Sequence, residues 1–126
     1  MAVHQPELGR ILITGSRNWE NYGLVQYVLT DLYAKNPSAV LVSGNCPSGA
    51  DAMCERMWCS LGGKVERHPA DWSLGRKAGP LRNQQMVDLG ADLCVAFRRG
   101  DSRGTTHCAN AATLAGIPTE WYCEDD

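Results

Sequence analysis

Hydrophobic positions along the chain follow two spacings in turn. Ile11-Leu12-Ile13-Thr14 is a continuous, β-branched run bounded by Gly15, as expected of a strand buried on both faces. After it, Leu24, Val25, Val28, Leu29 and Leu32 recur at helical spacing, with Asn21 suited to cap the helix and Asn36-Pro37 to stop it. Ala39 to Val42 predicts a second buried strand. From Gly49 to Leu61 the positions Ala50, Met53, Cys54, Met57, Trp58 and Leu61 keep the i, i+3, i+4, i+7 pattern until Gly62-Gly63 ends it. Lys64 to His68 has one strong apolar residue and predicts an edge strand closed by Pro69.

The second half repeats the alternation. Residues 70–79 read as a long polar connection, and Pro80 suits the first turn of a helix that carries Leu81, Met86 and Leu89 as far as Gly90. Leu93 to Phe97 predicts a third buried strand. A polar loop over 98–104 leads to a small-residue helix with Cys108, Ala111, Ala112 and Ala115 on one face, closed by Gly116. Ile117 to Tyr122 forms a last strand before an acidic tail. Strands that alternate with helices imply right-handed crossovers and a parallel sheet covered on both sides. The expected architecture is a Rossmann-like, three-layer α/β fold with a five-stranded parallel sheet in the order 3-2-1-4-5. Such a sheet has a topological switch between its first and fourth strands, and ligands bind beyond the carboxyl ends of its strands.

Composition narrows the class. The 126 residues suit one domain spanning the chain, with flexible ends expected at 1–9 and 123–126, and the 44% hydrophobic and 21% charged content is that of a soluble globular protein. The net charge of -2 argues against a nucleic-acid backbone as the main partner. Its distribution changes the picture, because Arg17, Arg76, Lys77, Arg82, Arg98, Arg99 and Arg103 all fall in or beside loops at one edge of the expected sheet. Six cysteines without a C-x-x-C pair read as reduced thiols in a cytoplasmic protein, and the three histidines supply no zinc-ligand spacing. No metal or cofactor is expected. No apolar run is long enough to span a bilayer. A homodimer is expected only because two-fold assemblies are the commonest.

The candidate chemistry sits where strands give way to helices. Gly44 to Gly49 has the G-x-x-x-x-G spacing of a P-loop, but Ala50-Asp51 stands where Lys-Ser/Thr must follow, which argues against that class of NTPase. The first loop, Gly15-Ser16-Arg17-Asn18-Trp19, lacks the G-x-G-x-x-G of dinucleotide dehydrogenases. What remains is an ordered set of loops. It runs from Gly15-Ser16-Arg17, through Ser43-Gly44 with Gly49-Ala50-Asp51, to Pro69-Ala70-Asp71-Trp72 leading into Gly79-Pro80-Leu81-Arg82-Asn83. Ser102-Arg103-Gly104-Thr105-Thr106 completes it.

On these four motifs the chain resembles the SLOG superfamily of Rossmann-like nucleotide-binding proteins, specifically its YspA (YpsA-related) branch, from Arg10 to about Tyr122. The resemblance implies binding or processing of a nucleotide or nucleotide-derived ligand. The LOG phosphoribohydrolases of the same superfamily are similar but have a P-G-G-x-G-T-x-x-E motif. Here Asp101-Ser102 replaces the glycine pair and Cys108 stands at the catalytic glutamate.

The site is expected to draw on Gly15, Ser16, Arg17, Trp19, Ser43, Gly44, Gly49, Asp51, Asp71, Trp72, Lys77, Gly79, Arg82, Asn83, Arg103, Gly104, Thr105 and Thr106. Glycines admit close backbone approach, and helix starts attract anions. Arg103 and Thr105 at one helix start make a natural anion site, whereas Arg82 is read either as a phosphate ligand or as a solvated surface residue. Asp51 is either a favourable charge near a helix start or a partner for a ribose hydroxyl or catalytic base; Asp71 is either an acid–base residue or a turn cap. Trp19 and Trp72 offer either base stacking or core packing. The leading function is therefore binding or sensing of a nucleotide-derived phosphate ligand such as ADP-ribose, NAD or a nucleoside monophosphate. The alternatives are a nucleotide N-glycosidase using Asp51 or Asp71, and single-stranded nucleic-acid binding, which gains a little from the DprA branch of similar fold.

Overall fold

A computed structural model describes residues 7–125. In chain order the elements are β1 (Arg10–Gly15), α1 (Tyr22–Lys35), β2 (Val40–Ser43), α2 (Gly49–Ser60) and β3 (Lys64–Arg67). A 3₁₀ segment (Trp72–Lys77) follows, then α3 (Ala78–Asp88), β4 (Leu93–Arg99), α4 (Arg103–Leu114) and β5 (Thr119–Glu124). The sheet is wholly parallel with the order β3-β2-β1-β4-β5, as the alternation of spacings implies.

Side-chain alternation along β1 divides the core into two layers. Ile11 and Ile13 face α1 and α2, packing with Val25, Leu29, Cys54 and Trp58. Leu12 faces the other way and packs with Met86 and Val87 of α3 and Cys108 and Ala112 of α4. β1 and β4 are consequently sealed on both faces, and this is why they read as unbroken apolar runs. β3 lies at an edge and is polar for a different reason, since its charges are paired. Arg10 grips the Glu66 carboxylate with both terminal nitrogens at 3.0 and 2.8 Å, and His68 adds a contact at 2.7 Å. These partners hold the Glu66 carboxyl down at about 2. On the neighbouring residue, Arg67 donates to Glu55 at 2.6 Å, and Ser43 donates to the same carboxylate at 2.8 Å.

Three expectations need correction. The stretch 70–79 is not an open polar connection. It contains the 3₁₀ segment, broken at Gly75 (φ 75°, ψ -148°), and α3 begins at Ala78. The face of α3 also differs, because Leu81 and Leu89 are exposed while Arg82, Asn83, Met86 and Val87 are buried. Finally, β5 runs Thr119–Glu124 instead of ending at Tyr122, with Cys123 in register opposite Arg98 and Glu124 opposite Arg99. The Glu124 carboxylate accepts hydrogen bonds from the backbone N–H groups of Glu20 (2.7 Å) and Asn21 (3.1 Å), tying β5 to the start of α1. At the other end Leu8 packs against the core, and its N–H donates to Asn36, while residues 1–6 and 126 of the expected ends lie outside the described residues.

Candidate functional site

Parallel strands all deliver their outgoing loops to one edge of the sheet, and here those loops enclose a cavity of about 750 Å³ beside the β1–β4 switch. Of the expected residues, Gly15 and Arg17 reach it from the loop after β1, and Gly44 and Asp51 from the passage between β2 and α2. Trp72, Gly79, Arg82 and Asn83 come from the 3₁₀ segment and α3, and Arg103, Gly104 and Thr105 from the start of α4.

Seven expected residues do not line the cavity. Trp19 is 2% exposed and meets Phe97 edge to face at 5.3 Å, so it packs the core and has no free face to offer a base. The Ser16 hydroxyl is buried, accepting the Arg99 N–H at 2.8 Å, and the Ser43 hydroxyl is turned to Glu55. Gly49 works one layer back. Its φ is 71°, and a Cβ there would stand 2.2 Å from the Ser16 carbonyl oxygen, so only glycine lets α2 start this close to the first loop. Asp71 is exposed and caps the 3₁₀ segment, accepting from the Ser73 N–H at 3.2 Å and its hydroxyl at 2.5 Å. That geometry corrects its reading as an acid–base residue over the cavity. Lys77 is exposed and Thr106 half-buried, both outside the wall.

Arg82 is not the solvated surface residue of one reading. It is 8% exposed, and its Nη1 donates to the carbonyls of Gly44 and, at 3.3 Å, His68, while Nε donates to Asn83 Oδ1 at 2.9 Å. Asn83 in turn donates to the Gly104 carbonyl at 3.4 Å. One cation on α3 thereby fastens the loops after β2 and β3 and, through its neighbour, the first turn of α4. Its role is to hold the wall, which sequence spacing does not reveal.

The two helix starts at the site lack side-chain caps. Ser48 precedes α2, but its hydroxyl donates to the Arg17 carbonyl at 3.2 Å; Ser102 precedes α4, and its hydroxyl pairs with that of Thr105 at 2.7 Å. Neither serine side chain meets a first-turn N–H; at α2 the Ala50 N–H donates instead to the Ser16 carbonyl at 3.1 Å, whereas the start of α4 is left for other partners. Arginines reinforce this. Arg17, Arg76 and Arg103 line the cavity from exposed positions, and Arg17 lies over the Trp72 ring at 5.1 Å. Arg99 braces the rim, donating to the Asn18 carbonyl at 2.8 Å and pairing with Glu20 at 3.1 Å.

Against these five arginines the cavity has two carboxylates, Asp51 and Asp101. Asp51 is 4% exposed, in the first turn of α2. Its Oδ2 accepts from the Cys46 N–H at 3.3 Å, and Oδ1 has no hydrogen-bond partner. Burial pushes the carboxyl up to about 6, with the Cys46 N–H, the Cys46 thiol and the Arg82 charge pulling the other way. Cys46 shares this wall, and burial beside that carboxylate raises its thiol further. The lining residues absent from the expected set are Thr14, Asn18, Cys46, Arg76, Arg99, Asp101 and His107, together with Pro80 and Ser102, which stand inside the motifs. The grouping of basic residues at one sheet edge already pointed to Arg76 and Arg99. Arg98, in the same group, instead stacks on Trp121 at 5.0 Å.

Cys108, at the position of the LOG glutamate, is fully buried against Leu12 and Ala112, with its thiol pushed up to about 11. No carboxylate enters the cavity from that point. Among the described residues, no cluster of three His, Cys, Asp or Glu side chains is placed to hold a metal ion, and no helix is long and apolar enough to cross a membrane.

A parallel α/β sheet with a cation-rich cavity at its switch point defines a Rossmann-like protein. Within that class, the family model described as YspA, cpYpsA-related SLOG matches residues 9–75, and the chain belongs to that family. The Gene 61 protein of Mycobacterium phage D29 is 44% identical, the match covering 86% of this chain and 92% of that protein. Among solved structures, the C-terminal domain of a hydrogenase from Pyrococcus furiosus shares the fold at 16% identity, with a TM-score of 0.50 over 96% of both chains.

Proposed function

We propose that the protein binds a nucleotide or nucleotide-derived phosphate ligand in this cavity, with its phosphate at the start of α4 and its base against Trp72. One observation carries the reading. An uncapped helix start, Arg103 and two further exposed arginines converge on a cavity whose mouth also holds an exposed indole. A volume of about 750 Å³ lies in the range of small-molecule and cofactor sites. Membership of a SLOG family supports a nucleotide over other anions. The proposal is for binding, since the position of the LOG glutamate is a buried thiol.

Isothermal titration with ADP-ribose, NAD and AMP tests it. Saturable binding of at least one is expected, weakened about tenfold or more by Arg103→Ala, as for the loss of a charged hydrogen bond. Folded protein that takes up none of the three overturns the reading.

A further inference from the structure

The two ends of the cavity make opposite demands. At the mouth, Arg17, Arg76 and Arg103 favour negative charge. Deep in the wall, Asp51 repels it. An ionised carboxylate has about four acceptor sites on its two oxygens, and this one receives the Cys46 N–H at 3.3 Å on Oδ2 and a weak contact from the Cys46 thiol. Oδ1 is buried without a partner. Arg82, the cation beside it, turns Nε to Asn83 and Nη1 to the Gly44 and His68 carbonyls. The neighbouring Cys46 thiol stays protonated and is a weak donor at best. A buried acceptor left unmet costs stability, so its retention in a cavity wall points to a partner that arrives from outside.

We infer that Asp51 reads a hydrogen-bond donor on the ligand, a sugar hydroxyl or an amine, so that the cavity accepts molecules that carry an anion at one end and a neutral donor group at the other. This rests on the nucleotide reading above and adds the orientation and the selection rule. The phosphate stays at α4, and the donor end points down to α2. A ligand anionic along its whole length, such as inorganic pyrophosphate, lacks the donor and meets the Asp51 charge.

Titration of the wild-type protein with AMP, 2′-deoxy-AMP, 3′-deoxy-AMP and IMP separates the sources. Loss of one hydroxyl, or of the 6-amino group in IMP, is expected to weaken binding by about tenfold to a hundredfold, as for a hydrogen bond to a buried charge. Asp51→Asn should bind AMP and that analogue within about threefold of each other, because the charged acceptor is gone. Equal affinity of the wild type for all four nucleotides overturns the inference and leaves the nucleotide reading standing. So does discrimination that survives Asp51→Asn. Failure of AMP, NAD and ADP-ribose alike to bind overturns both.

Discussion

Asp51 makes the sharpest demand on this fold at the level of one residue. Its carboxyl titrates near 6 in the folded chain against 3.8 for an ordinary aspartate. Below about pH 4 both folded and unfolded chains hold the proton, and burial of Asp51 costs nothing through ionisation. As pH rises from about 4 to about 6 the unfolded chain ionises first, so the folded state loses ground. Above that window the penalty is complete, at about 3 kcal/mol for a shift of this size. Asp51→Asn removes it. The melting temperature of Asp51→Asn, relative to wild type, should therefore rise between about pH 4 and about pH 8, as followed by circular dichroism. A gap that is flat with pH would mean that the carboxylate is not buried as described. From sequence, Asp71 in its long polar loop is the better acid–base candidate, and Asp51 is divided between a helix-start charge and a functional role. Burial separates them, and burial depends on Gly49 letting α2 approach Ser16, a contact between distant parts of the chain.

Among the elements, α3 shows how a cavity disturbs hydrophobic periodicity. Its inward face carries Arg82 and Asn83 beside Met86 and Val87, because half of that face borders a cavity and fastens loops instead of packing on the sheet. Leu81, which the apolar pattern assigns to the core, is left outside. β1 and β4 have no such conflict, and their apolar runs locate them without ambiguity. The 3₁₀ segment was illegible for a simpler reason: none of its side chains is buried, so it has no apolar period, and Gly75 breaks its helical geometry. The staple on α3 yields a direct expectation. Arg82→Met keeps much of the side-chain volume but leaves the Gly44 carbonyl without this donor, and should destabilise the protein by about 2 kcal/mol in urea denaturation. A loss below about 0.5 kcal/mol, the range of neutral surface changes, would show that the loops do not depend on it.

Over the whole molecule, charge is segregated. A chain of net charge -2 gathers five arginines around one cavity, so its attraction for anions is local. Added salt shortens the reach of such a field, from about 10 Å at 0.1 M to about 3 Å at 1 M. The affinity for ADP-ribose should accordingly fall steadily as potassium chloride is raised across that range in calorimetric titrations. An affinity indifferent to salt would assign binding to uncharged contacts. The overall topology was legible because each crossover leaves its own apolar signature and stop signal. The cavity wall was legible only where a motif coincided with it. Arg99 belongs to the wall through the end of β4, and no short motif announces it.

The tryptophans have meanwhile been sorted by their surroundings. Trp19 and Trp58 are sealed in the core, Trp121 sits on the edge strand under Arg98, and Trp72 stands at the cavity mouth beneath Arg17. Of these four indoles, Trp72 alone lines the cavity. The protein thus carries a built-in optical probe: emission from Trp72 responds to whatever settles against it, while Trp19 and Trp58 supply a constant background, and occupancy becomes measurable in unlabelled protein.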